Sequence, residues 1–324
     1  MLTIQVDVDT VGALLRFYGF AASGERVADP VYRLALPRFA ELFEAAGVRA
    51  TFFVVGQDLA DAANCAIVHG LHAAGHEIAN HSQTHRYDFG RLSRWEKADE
   101  IARAGEVIEA ATGQAPLGFR APGYDVDRDV LELLAESGYR YDSSILPSIL
   151  NVPFKFLGQA LRQSRTRSGY GSVALSAAPN RAYRPDPSAI WRATDQGSLW
   201  EIPVACVPGL RLPFYAHFNL LTGDRLFRLS AALAEGRDCN YVFHAVEMLD
   251  PSEIDSRLHR HPNVRMPLAR KVARCRAFLD RLQTGRRSVL SSDFALARAS
   301  EAGLAGVPDV ARHRHGRIRR EQAR

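Results

Sequence analysis

The sequence is poor in cysteine and in lysine: its 324 residues include four cysteines and three lysines. The cysteines, Cys65, Cys206, Cys239 and Cys275, are far apart and form no Cys-x-x-Cys pair, which argues against a cysteine zinc cluster and a disulfide framework. Because lysine is scarce, the net charge of +5 comes almost wholly from scattered arginines. Scattered arginines without a groove-reading motif predict no nucleic-acid partner.

Long hydrophobic runs are also missing. No stretch reaches the roughly 18 consecutive apolar residues that a membrane-spanning helix needs. The first six residues lack the basic and apolar regions of a secretory signal peptide. The sequence therefore favours a cytoplasmic protein and leaves its oligomeric state open.

Short apolar runs alternate with amphipathic segments, a pattern typical of βα units around a parallel sheet or barrel. Strands are predicted at 2–9, 50–56, 76–82, 117–123, 139–145, 199–205, 240–247 and 288–295. Helices are predicted at 31–46, 60–74, 93–112 and 127–137, and near 222–235 and 267–283. The first four helices are each followed by a glycine that can stop a helix in the left-handed conformation, namely Gly47, Gly75, Gly113 and Gly138.

Two segments break this alternation. Residues 146–198 are rich in Pro, Ser, Gly and Arg and are predicted to be an insertion after the fifth strand. Their aromatic and basic residues, including Phe154, Phe156 and Arg162, suit a lid, an oligomer contact or a peripheral contact with the anionic inner membrane face. The basic tail 301–324 is predicted to be disordered. Residues 1–300 are expected to form one domain.

Polar residues at the ends of apolar strands are informative, because the carboxyl ends of parallel strands build the site in barrel folds. The first strand ends in Asp7 and Asp9, and a spacing of two directs both carboxylates to one side. Neighbouring carboxylates repel one another unless a cation lies beside them. A metal on one carboxylate and a basic side chain beside the other would relieve this repulsion.

Histidines and an arginine follow at later strand ends. His81 and His85 are four residues apart and converge if the segment makes one helical turn. Two imidazoles and a carboxylate are a common ligand set for Zn²⁺ and related ions. Arg120 interrupts an apolar strand and needs an anion, for which the spare aspartate is the candidate. His244 has a corresponding position in a late strand.

Taken together, these residues resemble the polysaccharide deacetylases of carbohydrate esterase family four, which share the chitooligosaccharide-deacetylase homology domain. The resemblance spans residues 3–295. The motifs that carry it are Val6-Asp7-Val8-Asp9, His81-Ser-Gln-Thr-His85, Arg120-Ala-Pro-Gly123, Asp142-Ser-Ser and Phe243-His244. The resemblance implies a distorted (β/α)₇ barrel of the α/β class, which has one strand fewer than the eight predicted above.

The resemblance also implies a metal cofactor. Asp9, His81 and His85 would bind one divalent ion, with Zn²⁺ expected first. A site of two histidines and one aspartate also accepts Co²⁺, Ni²⁺ or Mn²⁺, so availability decides among these metals.

The remaining motif residues take roles in catalysis by the same resemblance. Asp7 would be the catalytic base, Arg120 would orient Asp7, and His244 would be the general acid. The backbone N–H of Gly123 would stabilise the oxyanion. The residues expected to contact substrate are Tyr124, Asp142 and Ser143.

Three features depart from the family pattern. Val8 separates the two aspartates, a variant associated with intracellular members that do not act on chitin-type polymers. Gly123 stands where an aromatic residue is commoner, and the 146–198 insertion has no counterpart in the minimal domain. The expected substrate is therefore a small or lipid-linked N-acetyl sugar rather than a finished cell-wall polymer.

Two alternatives stay open. One is a deformylase or another amidohydrolase acting on a non-acetyl amide, including enzymes that resemble the metal-independent allantoinases, although the intact metal ligand set disfavours these. The other is a catalytically silent sugar-binding scaffold, which the presence of all expected catalytic groups disfavours.

Overall fold

The described chain forms nine strands and ten α-helices, and its computed structural model describes residues 1–20, 29–150 and 172–304. The strands are β1 (Leu2–Asp7), β2 (Thr51–Val54), β3 (Glu77–Asn80), β4 (Gly118–Phe119), β5 (Tyr141–Asp142), β6 (Pro185–Asp186), β7 (Ala189–Ala193), β8 (Trp200–Glu201) and β9 (Cys239–His244). The helices are α1 (Val11–Phe17), α2 (Leu36–Ala46), α3 (Ala62–Ala73), α4 (Arg94–Thr112), α5 (Arg128–Glu136), α6 (Ala216–Thr222), α7 (Asp224–Leu233), α8 (Pro262–Arg265), α9 (Leu268–Gln283) and α10 (Ser291–Glu301).

Seven of the strands form one sheet in the order β8-β5-β4-β3-β2-β1-β9, in which every neighbouring pair is parallel. The sheet curls into a half-barrel, which confirms the predicted distorted (β/α)₇ barrel. The strands β6 and β7 form a separate antiparallel hairpin. Since all seven strands of the large sheet point the same way, their carboxyl ends meet at one rim.

Strand β1 is the central element of the site. All six of its residues are buried, as expected for a strand covered on both faces. It pairs with β2 on one side and with β9 on the other, and this register places Asp7 opposite both Phe53 and His244. The sheet thus brings together two site residues that are distant in sequence.

The predicted helix ends are confirmed at all four glycines. Gly47, Gly75, Gly113 and Gly138 have φ values of 65°, 86°, 77° and 82°. A residue with a Cβ rarely adopts this left-handed conformation, so glycine is favoured at each of these positions.

The predicted strand at 288–295 is wrong. Ser288 makes a single parallel bridge with Leu2, and the chain then enters α10 at Ser291. The carboxylate of Glu77 accepts the backbone N–H of Ser292 at 3.1 Å, which satisfies one of the unpaired donors of the first helical turn. A hydrogen bond from a distant residue therefore stabilises the start of this helix, and the local sequence does not indicate it.

Other segments differ from the predictions in detail. The helix predicted near 222–235 is α7, and the preceding helix α6, which was not predicted, is separated from it by Gly223 with φ of 93°. Part of the predicted insertion, including Phe154, Phe156 and Arg162, lies outside the described residues, as does tail segment 305–324. The described part of the insertion contains a 3₁₀ turn (Val173–Ala177) and the β6–β7 hairpin. Among the described helices, none is long and apolar enough to cross a bilayer.

Candidate active site

The carboxylates of Asp7 and Asp9 lie at the carboxyl end of β1. Both residues are buried, at 3% and 8% exposure. The hydroxyl of Thr10 accepts the backbone N–H of Ala13 and so caps α1, which turns the chain away from the sheet directly after Asp9. Two adjacent acids are thereby fixed at the rim of the barrel.

Asp9, His81 and His85 come together as the sequence predicted, and one ligand atom from each lies within 4.8 Å of the others. The Oδ1 atom of Asp9 is 2.8 Å from Nε2 of His85 and 3.4 Å from Nε2 of His81. This Oδ1 is buried and accepts no well-formed hydrogen bond from the described residues. Burial raises the pKa of Asp9, but the neighbouring His85 and His81 outweigh it and hold this pKa well below its usual range. An ionised carboxylate facing two imidazole nitrogens fits a divalent cation.

The peptide around these histidines supports the same arrangement. The Nδ1 atom of His81 lies 2.8 Å from the carbonyl oxygen of Arg120. Because a carbonyl can only accept, Nδ1 carries the proton and Nε2 presents its lone pair toward Asp9, as in many metal sites. The carboxylate of Glu100 holds the connecting loop by accepting the backbone N–H and the hydroxyl of Thr84, at 2.8 and 2.6 Å.

Backbone strain marks the same loop. Ser82 and His85 have φ values of 64° and 54°, although neither is a glycine. Such conformations cost roughly 1–3 kcal/mol each and persist where the surrounding structure enforces them, often at functional sites. The loop is thus folded to bring His85 back toward His81.

Arg120 holds Asp7. Its side chain is fully buried, and its Nη1 donates to Oδ1 of Asp7 while its Nη2 donates to Gln5. The guanidinium also donates to the carbonyl and hydroxyl oxygens of Ser143, at 2.7 and 2.8 Å, and its carbon lies 4.3 Å from the ring centre of Phe53. With its donors engaged on several sides, Arg120 fixes the direction of the Asp7 carboxylate.

Asp142 and Ser143 lie behind Arg120 rather than in the cavity, so the structure places them away from the expected substrate contacts. Both are fully buried. Ser143 binds Arg120, whereas Asp142 accepts the hydroxyl of Ser144 at 2.6 Å and pairs with Glu201 on the neighbouring strand. Because their short side chains already make these contacts, neither is free to bind substrate. The sequence motif alone does not show these contacts.

Tyr124 and Gly123 do face the cavity. The hydroxyl of Tyr124 lies 3.3 Å from Oδ2 of Asp7 and donates to it. Gly123 and Tyr124 have φ values of 63° and 59°, so the chain makes a tight left-handed turn after the buried Pro122. This turn brings the Gly123 backbone to the cavity wall.

His244 stands on the other side of Asp7. Its Nε2 is 3.7 Å from Oδ2 of Asp7, and its Nδ1 is 3.8 Å from Oε1 of Glu247. Burial alone lowers the pKa of His244, but the carboxylates of Glu247, Asp7 and Asp9 outweigh it and raise this pKa to about 9. The imidazole is therefore held protonated at neutral pH, as a general acid requires.

The sequence interpretation assigned no role to Glu247 or His217. Glu247 is buried, and the Nδ1 atom of His217 lies 3.6 Å from the same Oε1 that faces His244. The spacing of three between His244 and Glu247 could have suggested their pairing. Nothing in the local sequence around His217 indicates that α6 brings it to this carboxylate.

These groups line one cavity of about 200 Å³. Its polar lining includes Asp7, Asp9, His81, His217 and His244. The remaining lining includes aliphatic and aromatic side chains from α1, from the loop after β9 and from α8. Asp9 and His81, the Asp7 carboxylate held by Arg120 and the His244 imidazole thus meet at one partly open cavity.

At the strand ends of this curled parallel sheet, Asp9, His81 and His85 could hold a divalent ion beside Asp7. The chain matches the family model for polysaccharide deacetylases over residues 29–141, in agreement with the resemblance that its motifs indicate.

Two curated relatives and one solved structure are similar to this chain. The chain is 28% identical over 148 residues to a peptidoglycan deacetylase of Helicobacter pylori, covering 45% of this chain and 50% of that protein. It is 39% identical over 92 residues to a chitooligosaccharide deacetylase of a Bradyrhizobium species, covering 28% of this chain and 41% of that protein. The matched segments thus span half or less of these relatives. A structure described as a polysaccharide deacetylase from Mycobacterium smegmatis shares the fold, with a TM-score of 0.60 and 19% identity over 93% of this chain and 90% of that one.

Proposed function

We propose that this protein is a metal-dependent amide hydrolase that removes an N-acetyl group from a sugar. The observation that carries the proposal is that Asp9, His81 and His85 lie together beside the cavity that Asp7 and His244 line. A divalent ion held by the first three residues would supply Lewis-acid chemistry, polarising the acyl carbonyl and making water more acidic.

The protein's own groups supply the proton transfers. Asp7, fixed through Oδ1 by Arg120, has its Oδ2 directed into the cavity and can take a proton from the attacking water. His244 can give a proton to the leaving amine, because an unprotonated amine leaves poorly. The backbone N–H of Gly123, which lines the cavity, would stabilise the oxyanion. The base and the acid therefore act from neighbouring positions on one substrate.

The expected substrate is a small or lipid-linked N-acetylhexosamine, processed in the cytoplasm or at the inner membrane face. The support for this finer proposal is the Asp7-Val8-Asp9 spacing, which resembles that of intracellular members. Zn²⁺ is the metal proposed first.

The test is acetate and formate release from N-acylated nucleotide sugars, lipid-linked hexosamines and short chitooligosaccharides, with and without Zn²⁺. We expect zinc-dependent acetate release that falls by about 10²–10⁴-fold in Asp7→Asn. Asp195→Asn is the matched control, because the Asp195 side chain is fully exposed. Formate release without acetate would instead establish a deformylase.

Metal binding is tested separately by titration calorimetry with Zn²⁺. We expect binding to be lost in His85→Ala and kept in His69→Ala, since His69 is exposed on α3. Stoichiometric zinc binding without turnover of any substrate would count against the deacetylase, and absence of both would favour a non-catalytic scaffold.

A further inference from the structure

Helix α1 is apolar on two faces. Val11 and Leu15 are buried in the main core, at 7% and 4% exposure. Leu14 and Phe17, three residues apart and therefore on one face, line the active-site cavity together with Tyr18. Because α1 begins directly after Asp9, this second apolar face starts beside the proposed metal ligands.

Aliphatic side chains from the other end of the chain complete this part of the cavity. Val246, Leu258 and Val264 line it and are 8%, 1% and 7% exposed. Val246 follows His244 by two residues, so the aliphatic wall also begins beside the proposed general acid. We call the surface formed by Leu14, Phe17, Tyr18, Val246, Leu258 and Val264 the apolar arm of the cavity.

Ring contacts hold the apolar arm in place relative to the metal ligands. The ring centres of Phe17 and Tyr87 are 4.8 Å apart, and those of Tyr87 and His85 are 4.7 Å apart. Tyr18 packs against His261 with ring centres 4.2 Å apart. The apolar arm is therefore packed against the residues of the site and held in a fixed position.

The chemistry of the apolar arm does not suit a bare sugar. Sugar hydroxyls lose hydrogen bonds to water when they are buried and need polar partners in exchange. Aromatic rings can stack on a sugar face, but Leu14, Val246, Leu258 and Val264 offer neither a ring nor a hydrogen bond. Such side chains instead favour contact with alkyl groups.

We propose that the apolar arm binds an aliphatic group that the substrate carries close to its scissile amide. This inference rests on the proposed function, which it deepens by naming the substrate class. The group is either an N-acyl chain longer than acetyl or an aliphatic aglycone on the sugar. Both present the same alkyl chemistry to the arm.

Two substrate series separate these sources. The first lengthens the N-acyl chain of glucosamine from acetyl to hexanoyl, and the second lengthens the alkyl aglycone of N-acetylglucosamine from methyl to octyl. With the zinc-loaded full chain, we expect kcat/KM to rise in one series by up to about fourfold per methylene until the arm is filled. Equal kcat/KM at every length in both series would overturn the proposal.

Variants test whether the dependence of kcat/KM on chain length arises in the apolar arm. Leu14→Asp places a charge on the half-buried cavity face of α1 and is expected to remove the dependence on chain length. Leu229→Asp is the matched control, since Leu229 is 54% exposed on α7 and does not line the cavity. A length dependence that survives in Leu14→Asp would contradict the assignment.

Binding provides a readout that is independent of turnover. Alkyl glucosides lack the amide and can be titrated calorimetrically, with affinity expected to rise with alkyl length if the aglycone occupies the arm. Alkyl carboxylates are the matching ligands for the case in which the N-acyl chain occupies the apolar arm. If no substrate turned over, the proposed function would fail, whereas length-independent affinity in both ligand series would overturn this inference.

Discussion

At the scale of single residues, the carboxylate of Glu247 controls the protonation of His244. The imidazole lies between Asp7 and Glu247, and His217 faces the same Glu247 oxygen. Because burial opposes the protonated form, these negative charges are what raise the pKa of His244 to about 9. The proposed general acid therefore depends on a residue that does not itself line the cavity.

Replacing Glu247 by glutamine removes one of the charges that favour protonated His244. The pKa of His244 should fall toward its ordinary value, so the imidazole loses its proton at a lower pH. We expect the basic limb of the pH profile of kcat/KM to move down by about one unit or more. The measurement is the full profile of Glu247→Gln beside Glu109→Gln, whose carboxylate is exposed on α4. An unmoved basic limb would show that Glu247 does not tune the acid.

Much of the candidate site was predictable at this scale because its signals are local. Asp7 and Asp9 are two apart, His81 and His85 are four apart, and each pair lies at the end of a strand. The contacts of Arg120 with Gln5 and Ser143 were not predictable, since they join three strands across the sheet. Asp142 and Ser143 were wrongly predicted to contact substrate for the same reason. Their orientation depends on hydrogen bonds to residues that are distant in sequence.

At the scale of elements, helix predictions held where the stop signal lies in the sequence. Glycines in the left-handed conformation end α2 and α4 at Gly47 and Gly113. The prediction for 288–295 failed because the helix start there depends on the distant Glu77, and because so short a segment with four apolar residues fits a strand or a helix equally well. Pattern alone cannot choose between them.

Helix α4 supports the loop that carries His81 and His85 through Glu100, and its start is closed by a reciprocal cap. The Ser93 hydroxyl accepts the backbone N–H of Glu96, while the Glu96 carboxylate accepts the backbone N–H of Ser93 at 2.8 Å. Ser93→Ala should destabilise the protein by about 0.5–2 kcal/mol. Urea unfolding measures this difference against Ser300→Ala, which lies near the end of α10 without such a cap. Equal losses in both variants would argue against a specific capping contribution.

At the scale of the whole molecule, the sheet is extended at β8 by strands that carry acids in the interior. Asp142 on β5 pairs in register with Glu201 on β8, and both are fully buried. Desolvation, followed by the charge of Asp142, raises the pKa of Glu201 well above its usual range. The nearby Arg120 and the Ile145 N–H favour the ionised form but do not reverse this shift. The folded protein therefore keeps a proton on this pair that the unfolded chain releases.

This retained proton links stability to pH with a definite sign. Above about pH 4.3, the unfolded Glu201 side chain loses its proton while the folded pair keeps it, so the folded state binds more protons. This contribution to stability is complete below that pH and is lost as the pH rises toward the raised folded pKa. Glu201→Gln cannot ionise and should escape the loss, so its free energy of unfolding relative to the native chain should improve steadily between pH 5 and 8. Thermal unfolding across this range measures the difference, with Glu106→Gln on the exposed face of α4 as the control. A constant difference would mean that the pair holds no extra proton, and that β5 and β8 meet across an ionised interface stabilised by Arg120 and by the hydrogen bonds from Ser144 and Ile145.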